Sequence, residues 1–93
     1  MNVNEMTIGE VFGYCMSARR ITSNSTTLEV IQALVDTTRQ ASEEVAGYAA
    51  EILYDFLDYG NSRYQEYMEC LTETPGEYVS NRTGEVVSVQ MIP

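Results

Sequence analysis

Two rhythms of apolar and polar positions divide this chain. Up to about residue 71 apolar side chains recur every three or four residues, the period of an α-helix, and from Glu77 the period falls to two, that of a strand. Thr7-Ile8-Gly9-Glu10 is a capping box, with Met6 and Val11 placed as a hydrophobic staple and Ile8, Val11, Phe12 and Cys15 as a core-facing stripe. Arg19 and Arg20 suit the negative end of that helix. A second box, Thr26-Thr27-Leu28-Glu29, opens a helix whose expected buried side is Leu28, Ile31, Leu34, Val35 and Thr38. Ser42, followed by Glu43 and Glu44, caps a third helix. Residues 28–59 could also run on as one helix, but more than thirty residues could not bury an apolar face on itself in so small a chain, so a break near Ala41 is expected. Gly60 and Asn61 form a stop, and Ser62-Arg63-Tyr64-Gln65 is a third box, opening a helix with Tyr64, Tyr67, Met68 and Leu71 on its apolar side. Pro75-Gly76 ends it. Tyr78-Val79-Ser80 and Val86-Val87-Ser88-Val89 then flank Asn81-Arg82-Thr83-Gly84 as a hairpin, with Val87, Val89 and Met91 expected to pack on the helices or on another chain.

The pattern predicts a mainly α fold: a small helical domain of four helices, at about 8–20, 27–41, 43–59 and 63–73, with a C-terminal β-hairpin at about 77–91. Ninety-three residues, 44% of them hydrophobic, suit one acidic domain with a modest core. No secretory leader and no apolar run of membrane-spanning length is visible, so the reading is cytoplasmic, with no membrane partner. In a reducing compartment Cys15 and Cys70 read as small apolar packing residues rather than a disulfide.

Charge changes the picture most. Fourteen acids against five arginines give a net −9, of which −8 falls in residues 43–77, where Arg63 is the one cation. Such a field repels nucleic acid and attracts basic protein surfaces. The chain has no His, Lys or Trp, hence no general base of near-neutral pKa, no imidazole ligand and no Schiff-base amine. No catalytic residue, metal site or cofactor is expected. A hard-cation site would need a loop that adds Gly, Asn or backbone carbonyls to the carboxylates, and nothing like it is present.

At about 100° per residue, Val45, Ala49, Ile52, Leu53 and Phe56 share one broad face of the third helix. Glu44, Glu51, Asp55 and Asp58 share a narrow band opposite, facing outward. These four span about 21 Å, the length of roughly six phosphates of one DNA strand. Glu66, Glu69 and Glu73 on the next helix would extend the ridge. Tyr48, Tyr54, Tyr59, Tyr64 and Tyr67 lie beside it and supply amphipathic contact area. The expected partner-binding set is Glu44, Tyr48, Glu51, Asp55, Asp58, Tyr59, Glu66, Glu69 and Glu73.

In order and approximate spacing, Met6-Thr7, Val11-Phe12, Val45, Tyr48, Ala50-Glu51-Ile52 and Gly60 resemble the phage anti-restriction proteins of the Ocr type, over about the first sixty residues. That resemblance implies a helical dimer that imitates DNA and blocks type I restriction enzymes. This chain departs from the family in its lower acidity and in ending with a neutral segment of strand character.

Two classes of function follow. One is a non-enzymatic acidic inhibitor, phage-encoded, that covers the basic nucleic-acid-binding surface of a host defence enzyme, either a restriction system or a CRISPR effector. In that reading the partner is a basic nucleic-acid-binding protein, nucleic acid is not bound directly, and a homodimer is compatible. The other is a small assembly module, such as an immunity protein, antitoxin or subunit, that joins its partner through the apolar edge and the hairpin while its acids keep it soluble.

Overall fold

A computed structural model describes residues 3–58 and 63–92 of the chain. After a 3-10 turn at Val3–Glu5 come α1 (Ile8–Ala18), α2 (Thr27–Gln40), α3 (Glu43–Leu57), the short α4 (Tyr64–Met68), and an antiparallel hairpin of β1 (Glu77–Val79) and β2 (Val86–Ser88). The mainly helical fold with a minor β component is as the pattern predicts. The central element is α1, which packs against α2, α3, α4 and β1.

The first two capping boxes form as read. Thr7 and Thr26 each accept from the backbone N–H three residues on, and Glu10 and Glu29 each accept from the cap residue's own N–H. At its other end α1 closes with Arg20 in the left-handed region (φ 66°). The Arg20 N–H bonds Ser17 O at 3.1 Å and the Ile21 N–H bonds Met16 O at 3.0 Å, the double closure that usually employs glycine. Between α2 and α3 the helix does break: Ala41 is extended, and Ser42 caps the new helix by accepting from Val45 N.

Nearly all of α1 is buried, because neighbours enclose it on every side. Phe12 stacks with Phe56 of α3 at 5.5 Å and meets Tyr67 of α4 at 5.3 Å, which joins three helices through one aromatic cluster. The opposite side of α1 takes the hairpin. Gly13 makes room for Tyr78: a Cβ there would lie 2.9 Å from Tyr78 Cδ2 and 3.1 Å from Cys70 Cβ. Gly13→Ala is therefore expected to lower stability by about 1–2 kcal/mol, overpacking outweighing the better helix propensity of alanine. Thermal unfolding followed by circular dichroism would register this as a fall in Tm; an unchanged or higher Tm would mean that Tyr78 can withdraw freely.

Three expectations are corrected. The buried side of α2 is Val30, Ala33, Leu34 and Thr37, whereas Ile31, Val35 and Thr38 are half-buried and Leu28 is 78% exposed. Both sets have helical spacing and each ends on a threonine, but the buried one has the smaller side chains, and its Thr37 hydroxyl is satisfied by donating to Ala33 O at 2.7 Å. The fourth helix ends at Met68 instead of about residue 73, because β1 recruits the backbone that follows. Val79 N–H bonds Cys70 O at 2.9 Å, and Leu71 bridges to Tyr78. Its N-cap is Arg63, with no side-chain cap; Ser62, like Gly60 and Asn61, lies outside the described residues. The hairpin is shorter than expected but pairs in the anticipated place, with Tyr78 opposite Val87 and Gly84 in the turn at φ 77°. It docks on α1 through buried Tyr78 and Ser80, while Val87, Val89 and Met91 are half-buried.

Candidate partner-binding surface

The acidic residues of α3 do not form one uniform row. Glu44, Glu51 and Asp58 are exposed, as the helical period predicts. Asp55 is not: it is 9% exposed and accepts a hydrogen bond from the hydroxyl of Tyr67, which is buried in the aromatic cluster. Its place on the wheel borders the apolar face, and α4 closes over that border. Burial and the neighbouring Asp55 carboxylate push the Tyr67 phenol well above the ordinary tyrosine range, so it stays a hydrogen-bond donor. Tyr67 is thus a core residue and not part of an exposed tyrosine cluster.

Arg63 also modifies the ridge. Its Nη1 lies 3.0 Å from Glu51 Oε1 and 3.5 Å from Asp55 Oδ2, so the one cation of residues 43–77 sits over the middle of the acidic band. The outermost acids of α3, Glu43 and Glu44 at one end and Asp58 at the other, carry the exposed charge away from it. Glu66, Glu69 and Glu73 do not continue the band as a helical row. Glu66 is half-buried on α4 and accepts from Asn81 Nδ2 at 3.3 Å, Glu69 is the C-cap, and Glu73 lies in the bend beyond. Tyr48 is half-buried and, with Glu43, Glu44, Gly47 and Glu51, lines a shallow depression of about 280 Å³. Tyr59 lies outside the described residues.

A second feature of α3 escaped the reading of the sequence. Its solvent side carries Glu43, Gly47, Ala50, Tyr54 and Leu57, spaced four, three, four and three residues apart, and all are exposed. Tyr54 is 73% and Leu57 60% exposed, large values for side chains that could have been buried. In heptad terms these are successive d and a positions, and Glu44, Glu51 and Asp58 are then three successive e positions. Nothing lies within 4 Å of where a Gly47 Cβ would stand. The fold therefore has no need of a glycine there, and within a helix it costs about 1 kcal/mol relative to alanine. The signal in the sequence is Tyr54 and Leu57, two large apolar side chains three residues apart and outside the face shared by Val45, Ala49, Ile52 and Phe56.

Elsewhere the chemistry is structural. Cys15 and Cys70 are buried and unpaired, and burial pushes both thiols up to about 11, so they stay protonated at neutral pH. Among the described residues no group of three or more Cys, Asp or Glu side chains is placed to hold a metal ion, and no helix is long and apolar enough to cross a membrane. Comparison with known proteins finds no family model, no curated protein and no solved structure that matches the chain. Function must therefore be argued from the site itself.

Proposed function

We propose that the protein is a non-enzymatic acidic inhibitor, phage-encoded, that occupies the basic nucleic-acid-binding surface of a host defence enzyme of the restriction or CRISPR-effector type. The observation that carries this reading is the concentration of exposed acids along α3 within a segment of net charge −8. Unopposed like charges destabilise a folded chain, and a cationic partner relieves that repulsion. With Asp55 tucked inward and Glu51 shared with Arg63, the surface offers attraction to a basic groove rather than a phosphate-by-phosphate copy of DNA.

The alternative of an assembly module is favoured by one observation, the exposure of Tyr54 and Leu57. Salt separates the two readings, because ion pairing across an exposed interface is screened and apolar contact is not. The test is displacement of fluorescent duplex DNA from a purified type I restriction enzyme and from a purified CRISPR effector. Displacement should weaken steeply as salt rises and fall about tenfold or more when Glu44, Glu51 and Asp58 are all changed to Gln, with the variant still folded. Displacement that is insensitive to salt and to the triple change would assign the surface to apolar assembly, and absence of displacement from either enzyme would overturn the inhibitor reading.

A further inference from the structure

We infer that the outer face of α3 is a docking seam for one amphipathic helix of the partner, apolar along its centre and basic along the edge that meets Glu44, Glu51 and Asp58. The inference rests on the acidic-inhibitor reading and sharpens it, replacing a diffuse basic surface by a basic helix, the element with which many proteins enter the major groove of DNA. Glu43, Gly47, Ala50, Tyr54 and Leu57 stand at the 4-3-4-3 intervals of one exposed helix face, and a second helix lying nearly parallel or antiparallel covers such a face along its length. The seam is about 21 Å long, two heptads.

Gly47 and Ala50 leave a low stretch at the N-terminal half of α3, beside the depression that Tyr48 and Glu51 also line, and Tyr54 and Leu57 stand up in the C-terminal half. An incoming backbone can approach closely over the small residues while its apolar side chains pack around Tyr54 and Leu57. Gly47 has no packing role in the fold, so its missing side chain is explained by what comes to lie over it.

Charge selects the occupant. Residues at e face the flanking positions of the opposite helix and set partner choice. All three e positions here are acidic, and since Arg63 already meets Glu51, Glu44 and Asp58 are the acids to which Lys or Arg on the partner is complementary. A second copy docked antiparallel would set these acids against themselves. Docked parallel, it would meet them with Ala46 and Leu53, which offer no charge. The seam therefore fits a basic helix better than its own duplicate.

The test uses the full chain and three synthetic peptides of about three heptads each. One is an amphipathic helix with Leu and Ala at a and d and Lys at e and g; the second has the same composition scrambled to abolish the apolar face; the third replaces each Lys by Glu. Binding is followed by calorimetry and by amide shifts of 15N-labelled protein. The basic amphipathic peptide should bind at least tenfold more tightly than the scrambled one, with shifts centred on α3. Gly47→Leu, which fills the seam with a good helix former, should weaken that binding about tenfold or more while leaving thermal stability unchanged or raised. Tyr54→Ser with Leu57→Ser should weaken it similarly. Equal binding of the scrambled peptide would overturn the docking seam but leave the charge-based reading standing. Failure of both basic peptides to bind would count against both. Equal binding of the Glu peptide would overturn the role of the e positions. A dimer in sedimentation that Gly47→Leu dissociates would make a second copy the occupant and overturn the choice of a basic helix.

Discussion

Asp55→Ala is expected to lower the free energy of unfolding by about 2–3 kcal/mol, whereas Glu44→Ala and Asp58→Ala should stay within about 0.5 kcal/mol of the parent. The difference follows from where the carboxylates sit. Asp55 is the acceptor for the Tyr67 hydroxyl, and the Tyr67 ring is held between Phe12 and Phe56, with centroids 5.3 and 5.8 Å away. Removing the acceptor strands a buried donor that no small movement of the stacked ring can bring to water. Arg63 matters less, because its side chain is 45% exposed and keeps Glu51. Urea denaturation of Asp55→Ala, Tyr67→Phe and the double variant would measure the coupling. The double variant should recover part of the loss, since deleting both partners leaves nothing unsatisfied. A loss no larger than that of the surface acids would mean that this tether does not hold α3 to α4. The same reasoning excludes Asp55 from any variant meant to strip surface charge, since lost binding could then be lost folding.

What could be read in the sequence was what neighbouring residues decide. The capping boxes at Thr7 and Thr26 and the cap at Ser42 are complete within four residues, and they placed three helix starts and the α2–α3 break correctly. The buried side of α2 was less accessible, because Leu28, Ile31 and Val35 are more hydrophobic than Val30, Ala33 and Thr37, and only the positions of α1 and α3 decide between them. The length of α4 depended on β1, whose pairing with Cys70 and Leu71 competes with helix hydrogen bonds. For the candidate surface, helical period alone found Glu44, Glu51 and Asp58. It misplaced Asp55 because a wheel drawn for one helix contains no knowledge of which edge the next helix covers. It passed over Gly47, Ala50 and Leu57 because a chain this small was expected to spend its apolar residues on one core.

Glu10→Ala should be the most damaging change of a charged residue, at about 2–4 kcal/mol near neutral pH. This carboxylate joins residues seventy positions apart: Oε1 accepts from Thr7 N at 3.0 Å and from Arg82 Nε at 3.2 Å, and Oε2 accepts from Ser80 Oγ at 2.7 Å. It caps α1 and anchors the hairpin turn at once. Thr7 Oγ1 donates to Asn81 Oδ1 at 2.6 Å, which ties the same turn to the same cap. Burial alone would raise the Glu10 pKa, but the hydrogen bonds from Thr7 and Ser80 and the bond and charge of Arg82 outweigh it and hold the group below the usual carboxylate range. A lowered folded-state pKa means stability that is fully present above the unfolded value, about 4.3, and is lost as pH falls through the folded value. The parent should therefore lose stability in acid below about pH 4, and Glu10→Gln should lose less over the same range, starting from a lower plateau. Comparison with Glu10→Gln is essential, because the contribution of the other thirteen acids is common to both proteins. Urea midpoints at pH 7, 5, 4 and 3 would separate the two effects: the gap between parent and variant should narrow toward pH 3, and a gap that stayed constant would remove ionised Glu10 as the link between α1 and the hairpin.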